Sequence, residues 1–290
     1  MKELRIFLPI YRIIVKQFSK GYGFGKTRLG KIMLKIVARI FESDFVKIQG
    51  HDMYIHPGND DYSLYGVYGE LDTKIVKQEI KKGDIVVDVG ASIGYFTLIF
   101  AQLVGNEGKV FAFEPRPERF ELLKKNIEIN GYQNIIAEQK AVMNHNGKDE
   151  FYFSKSEKTG FKLLVSEKDS KEIAEKPFAN TIRLDDYFNE RNLTDKINFI
   201  KSDVDGPEFS VLQSAESILK NKHVKIFFEW DHEYIELVGD DPEKVLGFLY
   251  KNDFKIYSPD YKNQKYTEIA KKHLLGLKSS DTVNLLCKKE

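Results

Sequence analysis

A glycine-rich turn and a handful of acids are the residues of this chain whose types and spacing could do chemistry. Gly90-Ala91-Ser92-Ile93-Gly94 follows the apolar run Asp84-Ile-Val-Val-Asp88-Val89 and precedes an apolar stretch from Tyr95 to about Val104. A second apolar run, Lys109 to Phe113, ends at Glu114-Pro115. Strand, glycine turn, helix, strand and acid, in that order, make a nucleoside-binding half-site. Gly90 and Gly94 let the backbone turn sharply and approach a ligand closely. The N–H groups at the helix start favour an anionic group such as a carboxylate. Glu114, at the tip of its strand, is placed to accept hydrogen bonds from both hydroxyls of a ribose.

Two ligand classes compete for such a turn. A dinucleotide calls for G-x-G-x-x-G, whose middle glycine admits the pyrophosphate. Here Ser92 fills that position and the spacing is G-x-x-x-G, which favours S-adenosyl-L-methionine, with one nucleoside and an amino-acid tail. A nicotinamide-dependent oxidoreductase remains the alternative enzyme, and a tight strand-to-helix turn with no ligand remains the bland reading.

Further acids follow predicted strands. In an open parallel sheet ligands sit beyond the carboxyl ends of the strands, so Asp88, Glu114, Ala141, Asp203 and Glu229 are expected along one edge. Asp88 and Gly90 would face the methionine part, Glu114 the ribose and Ala141 the adenine, with Ala91, Ser92 and Gly94 as further cofactor-binding residues of the turn. Glu70, in the Gly69-Glu70 step, would reach the methionine end, and Asp203 would hold its ammonium. Methyl transfer to an alcohol also needs a proton acceptor. Asp203, Glu229 and His232 are the catalytic candidates, with Asp205 and Glu208 also weighed; for Glu208 a bond to nearby backbone N–H groups is preferred. Asp203-Val-Asp205-Gly-Pro-Glu208 lacks the twelve-residue spacing of a calcium loop, and no metal is expected.

The motifs extend beyond the turn. Asp88-Val-Gly-Ala-Ser-Ile-Gly94, Phe113-Glu-Pro115, Asn126 to Gly131, Lys140-Ala-Val142, Leu184-Asp-Asp-Tyr187 and Lys201-Ser-Asp-Val-Asp-Gly-Pro-Glu208 stand in this order. From about Gly66 to Tyr261 the chain resembles FkbM-type methyltransferases. It departs from that pattern at Ser92, where Asn is usual, and at Ser202, Asp205 and Pro207 in a motif that usually reads K-I-D-V-E-G-A-E. The resemblance implies a hydroxyl acceptor on a sugar, glycolipid or secondary metabolite. It also implies the α/β architecture of class I methyltransferases: a doubly wound, seven-stranded, mostly parallel sheet closing on a reversed strand.

The elements that would position these residues follow from pattern. Val46, Ile48, Met53 and Ile55 alternate around Gly50-His51 as a hairpin. Helices are expected over 70–82, over Glu208 to Leu219, and over Pro242 to Lys251 with Asp241 as cap. Lys196 to Lys201 and Val224 to Trp230 read as strands. Phe254 to Tyr257 and Thr282 to Cys287 would form the terminal antiparallel hairpin. Residues 144–183 would help shape the acceptor pocket, with Gly160-Phe161 and Thr181-Ile182-Arg183 as walls.

Composition sets the outer bounds. At 290 residues, 42% hydrophobic and 31% charged, the chain suits a globular protein with one large domain. No run matches a membrane-spanning helix. The single Cys287 excludes a disulfide framework within the chain and fits the cytoplasm. Residues 1–40 hold ten Lys/Arg against one acid, although the whole chain is only +1. Residues 1–44 therefore read as a basic amphipathic helical arm, broken by Gly21-Tyr-Gly-Phe-Gly25, ahead of a methyltransferase domain over 45–290. Arg12 interrupts the first apolar stretch, so no signal peptide is expected. The arm packs with its basic side in water, or it lies peripherally on anionic membrane or guides a lipid-linked or phosphorylated substrate; the partner expected for the whole chain is a small-molecule or glycolipid acceptor. A noncatalytic membrane-associated protein that keeps the nucleoside fold as scaffold is the reading from another class. No nucleic-acid signature appears, and the oligomeric state is left open.

Overall fold

The central strands of this protein follow short apolar runs, and a computed structural model shows where they fall. It describes residues 45–55, 69–151, 153–154, 173–175, 178–204, 206–277 and 282–290. The basic arm, Gly160-Phe161 and Asp205 lie outside the described residues. The chain divides into two units, Met1–Tyr68 and Gly69–Glu290.

In the first unit, Phe45–Ile48 (β1) pairs antiparallel with His51–Tyr54 (β2). The turn centres on Gln49 and Gly50, with φ of 50° and 93°. Two successive positive φ values suit the right-handed twist of a tight hairpin. The hairpin expected around Gly50-His51 is thus present, with His51 already in the strand.

The second unit begins with a helix, Glu70–Glu79 (α1). The strand Ile85–Val89 (β3), helix Tyr95–Val104 (α2) and strand Lys109–Phe113 (β4) then build the half-site. Helix Pro117–Ile129 (α3) leads to Ile135–Glu138 (β5). Short strands follow: Ala141–Val142 (β6), Gly147–Glu150 (β7), Phe153–Ser154 (β8), Ile173–Glu175 (β9) and Phe178–Ile182 (β10). Of these, β6, β10 and β7 form a small sheet of their own, and β8 pairs with β9. Helix Leu184–Asn189 (α4), strand Ile197–Ser202 (β11) and helix Glu208–Ser214 (α5) return the chain to the main sheet. It finishes with Lys225–Trp230 (β12), His232–Leu237 (α6), Pro242–Lys251 (α7), Lys255–Asp260 (β13), Lys265–Glu268 (β14), Lys271–Leu274 (α8) and Val283–Lys288 (β15).

The main sheet runs β14-β13-β15-β12-β11-β3-β4-β5. From β12 to β5 all neighbours are parallel, whereas β15 is antiparallel to both β12 and β13. This is the doubly wound, mostly parallel sheet with a reversed strand, but with eight strands instead of seven. The expected terminal hairpin needs correction. Its two strands are neighbours, yet β14 and α8 intervene in sequence, and β14 pairs with β13 to add an edge strand.

Packing explains α2. Its residues are apolar nearly all round and mostly buried, as a helix covered on every side must be. Phe96 and Phe100 reach Phe227 and Phe199 of the sheet, with ring centroids 6.5 and 5.9 Å apart. The helix expected to run unbroken to Leu219 stops at Ser214 and resumes as a short turn, Ile218–Lys220. The buried carboxylate of Asp185 accepts from the N–H groups of Ser217 and Ile218 at 2.8 and 3.1 Å, starting that turn. Asp241 caps α7 as expected, accepting from Glu243 N–H at 2.9 Å.

Candidate functional site

The turn between β3 and α2 is held from three sides. Gly90 and Ala91 N–H both donate to the Phe113 carbonyl at 3.0 Å, tying the turn to β4. The fully buried Asn126 of α3 donates to the Ile93 carbonyl at 2.7 Å. Gly90, at φ 73°, faces the protein's own chain: a Cβ there would stand 2.0 Å from the Asp203 carbonyl oxygen. The close approach expected for a ligand is therefore also an approach of β11's end to the turn, which places Asp203 beside it.

Lys201 is the centre of the charge arrangement. It lies opposite Asp88 in the parallel pairing of β11 and β3, so both side chains share one face. Its ammonium is 3.3 Å from Asp203 Oδ2 and 3.5 Å from Asp88 Oδ1, and it donates to the Gly90 carbonyl at 3.2 Å. It also sits over the Phe96 ring, 5.5 Å from the centroid. Asp88 is fully buried; Oδ2 accepts from the Thr97 hydroxyl at 2.5 Å, while Oδ1 has no hydrogen-bond partner. Burial pushes the Asp88 carboxyl above its ordinary value, with Lys201 opposing. For Lys201 burial works to lower the value, but Asp203 and then Asp88 outweigh it and hold the ammonium above its usual range.

Glu114 is buried at the end of β4. Oε2 accepts from Ser92 N–H at 2.8 Å and Oε1 from Arg116 N–H at 2.9 Å. A carboxylate has about four lone-pair sites, so each oxygen keeps one for a diol. Burial raises its value, opposed first by Arg119.

The remaining sequence candidates divide. Glu229 stands two residues after Phe227 on β12, and Phe227 packs on Phe96, so Glu229 shares the Lys201 face. Its charge reaches Lys201. Opposite it on β15 is Asn284, which donates to Asp72 at 3.0 Å; Tyr266 donates to the same carboxylate at 2.6 Å. These bonds bring the first turn of α1, with the exposed Glu70, to the same edge. His232 opens α6 and lies 3.6 Å from Glu236. Ala141 belongs to the small sheet, opposite Thr181 of the proposed acceptor wall. Glu208 accepts from Gly206 and Val204 N–H at 2.9 and 3.3 Å, the backbone role preferred for it. No group of three His, Cys, Asp or Glu that could hold a metal occurs among the described residues.

Sequence reasoning gave no role to Lys201 or Thr97. Lys201 carried a readable signal: a lysine directly after Phe199-Ile200, within a strand expected to be buried, needs a partner. Thr97 carried none, because a threonine in an apolar helix reads as packing.

A family model, the Methyltransferase FkbM domain, matches residues 88–256, more than half of the chain. The chain belongs to the FkbM methyltransferase family. Its cofactor is S-adenosyl-L-methionine. This FkbM methyltransferase is also similar to the protein-L-isoaspartate O-methyltransferase of Ignicoccus hospitalis, 39% identical over 57 residues, covering 20% of this chain and 27% of that protein. A probable cobalt-precorrin-6B C(15)-methyltransferase of Saccharolobus solfataricus is 38% identical over 60 residues, covering 21% of this chain and 30% of that protein. The chain thus spans less than a third of the length of these curated relatives. Among solved structures it is similar to Aeropyrum pernix fibrillarin with natively bound S-adenosyl-L-methionine, at 12% identity and a TM-score of 0.42 over 75% of this chain and 74% of that one. A SAM-dependent O-methyltransferase from Thermotoga maritima shows 14% identity and a TM-score of 0.39 over 76% and 65%.

The residues present fit that cofactor. Asp88 Oδ1 is a buried acceptor without a hydrogen bond, in a group with one ammonium against two carboxylates. The ammonium of the cofactor's amino-acid end complements both features. Glu114 offers paired acceptors to a ribose diol, and no described helix is long and apolar enough to cross a membrane.

Proposed function

We propose that this methyltransferase acts on oxygen, methylating a hydroxyl of a sugar, glycolipid or secondary metabolite. The observation that supports this most directly is the row of carboxylates on one sheet face, Asp88 and Asp203 around Lys201 and then Glu229. Carboxylates accept hydrogen bonds from hydroxyls and repel anionic acceptors.

When bound, the cofactor supplies an electrophilic methyl on a sulfonium, to be displaced in line. The protein's part is placement. Asp88 and Asp203 hold the ammonium end, Glu114 holds the ribose, and Gly90, Ala91, Ser92 and Gly94 shape the turn between them. Glu70 lies toward the methionine side and Ala141 toward the adenine. Fixing an acceptor oxygen behind the methyl is worth up to about 7–11 kcal/mol in favourable systems. Glu229, beyond Phe227 on the same sheet face, is the first choice to take the acceptor's proton, and His232 the second. General-base assistance is worth about 10²–10⁴-fold.

The test is transfer of labelled methyl to a panel of hydroxyl-bearing sugars, glycolipids and polyketide-like alcohols, followed by location of the label. Labelled ether, slowed at least 100-fold in Glu229→Gln, supports the reading. Label on nitrogen or a carboxyl group overturns it. The basic arm would bring the enzyme onto anionic membrane from the cytoplasmic side; binding of the full chain to anionic but not neutral liposomes at low salt tests this.

A further inference from the structure

The turn contains one residue whose conformation its own type does not favour. Ser92 has φ 52°, in the left-handed region, between two glycines that adopt positive φ freely. A non-glycine residue persists there when its surroundings hold it. Both ends of Ser92 are held. Its N–H donates to Glu114 Oε2 at 2.8 Å, and its hydroxyl accepts from Arg119 Nη1 at 3.1 Å.

We infer that Arg119 is a positioning residue for the cofactor, acting through Ser92 on Glu114. The inference rests on the reading of Glu114 as the ribose acceptor. Arg119 stands in the first turn of α3, three residues after Arg116, whose N–H holds the other oxygen of Glu114. One short segment thus orients both oxygens: Arg116 N–H fixes Oε1 directly, and the Arg119 guanidinium fixes Oε2 through the serine. Without that guanidinium Ser92 loses its side-chain anchor and the N–H that aims Oε2 is free to turn away.

The same guanidinium supports the charge on Glu114. Burial favours the neutral acid, and the cations facing the carboxylate are Arg119 from α3 and Lys201 from β11, with the Arg116 and Ser92 N–H groups alongside. A ribose diol needs the ionised form as double acceptor. Loss of Arg119 therefore weakens binding at neutral pH and lets protonation begin at higher pH.

The experiment is calorimetric titration of the full-length protein with S-adenosylhomocysteine between pH 5.5 and 8, for wild type, Arg119→Gln, Arg119→Lys, Ser92→Gly, the Ser92→Gly/Arg119→Gln double variant and Glu114→Ala. Arg119→Gln should bind about tenfold more weakly at pH 7.5 and lose affinity more steeply on acidification. Arg119→Lys should recover the pH profile more than the affinity, because it restores charge without the planar fork. The cost of Arg119→Gln should shrink in the Ser92→Gly background. Wild-type affinity and pH profile in Arg119→Gln, with Glu114→Ala impaired, overturn the inference and leave the ribose reading standing. Unimpaired binding by Glu114→Ala overturns both.

Discussion

Two charge groups sit at opposite ends of the central sheet, and they are built differently. At the amino ends of the parallel strands, Glu79 is gripped by Lys225 at 2.8 Å and Lys288 at 3.1 Å, and Lys225 also donates to the Glu79 carbonyl at 2.8 Å. At the carboxyl ends, Lys201 stands 3.3 and 3.5 Å from Asp203 and Asp88, and one Asp88 oxygen has no hydrogen bond. The first group has cations to spare, short contacts and partial exposure. The second has carboxylates to spare and longer contacts, with Lys201 and Asp88 buried and Asp203 partly exposed. Burial tends to raise Glu79, but its two lysines outweigh that and hold the carboxyl below its usual range. Asp88 moves the other way. One arrangement is complete without a ligand, and the other, on the proposed reading, is completed by the ammonium of the cofactor.

Removing the central lysine should separate the two most sharply. Lys201→Met leaves two carboxylates facing each other without a counter-charge, at a cost of about 3–5 kcal/mol in unfolding free energy. Saturating S-adenosylhomocysteine should then raise Tm more in this variant than in wild type, because its ammonium replaces the missing cation. Equal ligand-induced shifts would break the comparison.

A smaller effect is expected from Asp88→Asn, in two directions at once. Cofactor binding should weaken about 10- to 100-fold, the worth of a hydrogen bond to a charged group. The ligand-free protein should be as stable as wild type at neutral pH or more so, since a buried charge is gone and Thr97 keeps an acceptor. The sign follows from the raised value: ionising Asp88 costs stability as pH rises through it, and binding to the ionised form is lost as pH falls through it. A variant that binds normally would remove Asp88 from the site.

Smallest is Glu79→Gln, at about 1 kcal/mol for a partly exposed pair, with cofactor affinity unchanged. Because the folded value is lowered from 4.5, this stability is present above that pH and lost as pH falls through the folded value. Wild-type and variant denaturation curves should therefore differ at pH 7 and converge in strong acid. A persistent gap there would mean that the difference is packing.

How much of this was legible in the sequence follows the same division. Gly90, Gly94 and Glu114 announce the turn by type and spacing, and apolar runs announce β3, β4, β11 and β12. The break after Ser214 was not readable, because it depends on Asp185, more than thirty positions away in sequence, capturing two N–H groups. The edge strand β14 was hidden for a related reason: Tyr266 and Lys74 tie it to α1 through Asp72 and the Gln264 carbonyl, contacts between distant segments. In the site, acids at strand ends were visible; their shared cation was read only as the start of a motif, although a lysine in a buried strand signals a partner. Arg119 was invisible, since an arginine in the first turn of an amphipathic helix carries no sign of what it touches.

The carboxyl-end group, on this account, recognises the ammonium of the cofactor's amino-acid tail. Calorimetric titration of the wild-type protein with S-adenosylhomocysteine, 5′-methylthioadenosine and NAD tests that directly, because the second ligand keeps the nucleoside and lacks the tail. One-to-one binding of the first, affinity at least tenfold weaker for the second and no binding of NAD is the expected result. Equal affinity for the first two would contradict the account, leaving the nucleoside half of the site to explain binding alone.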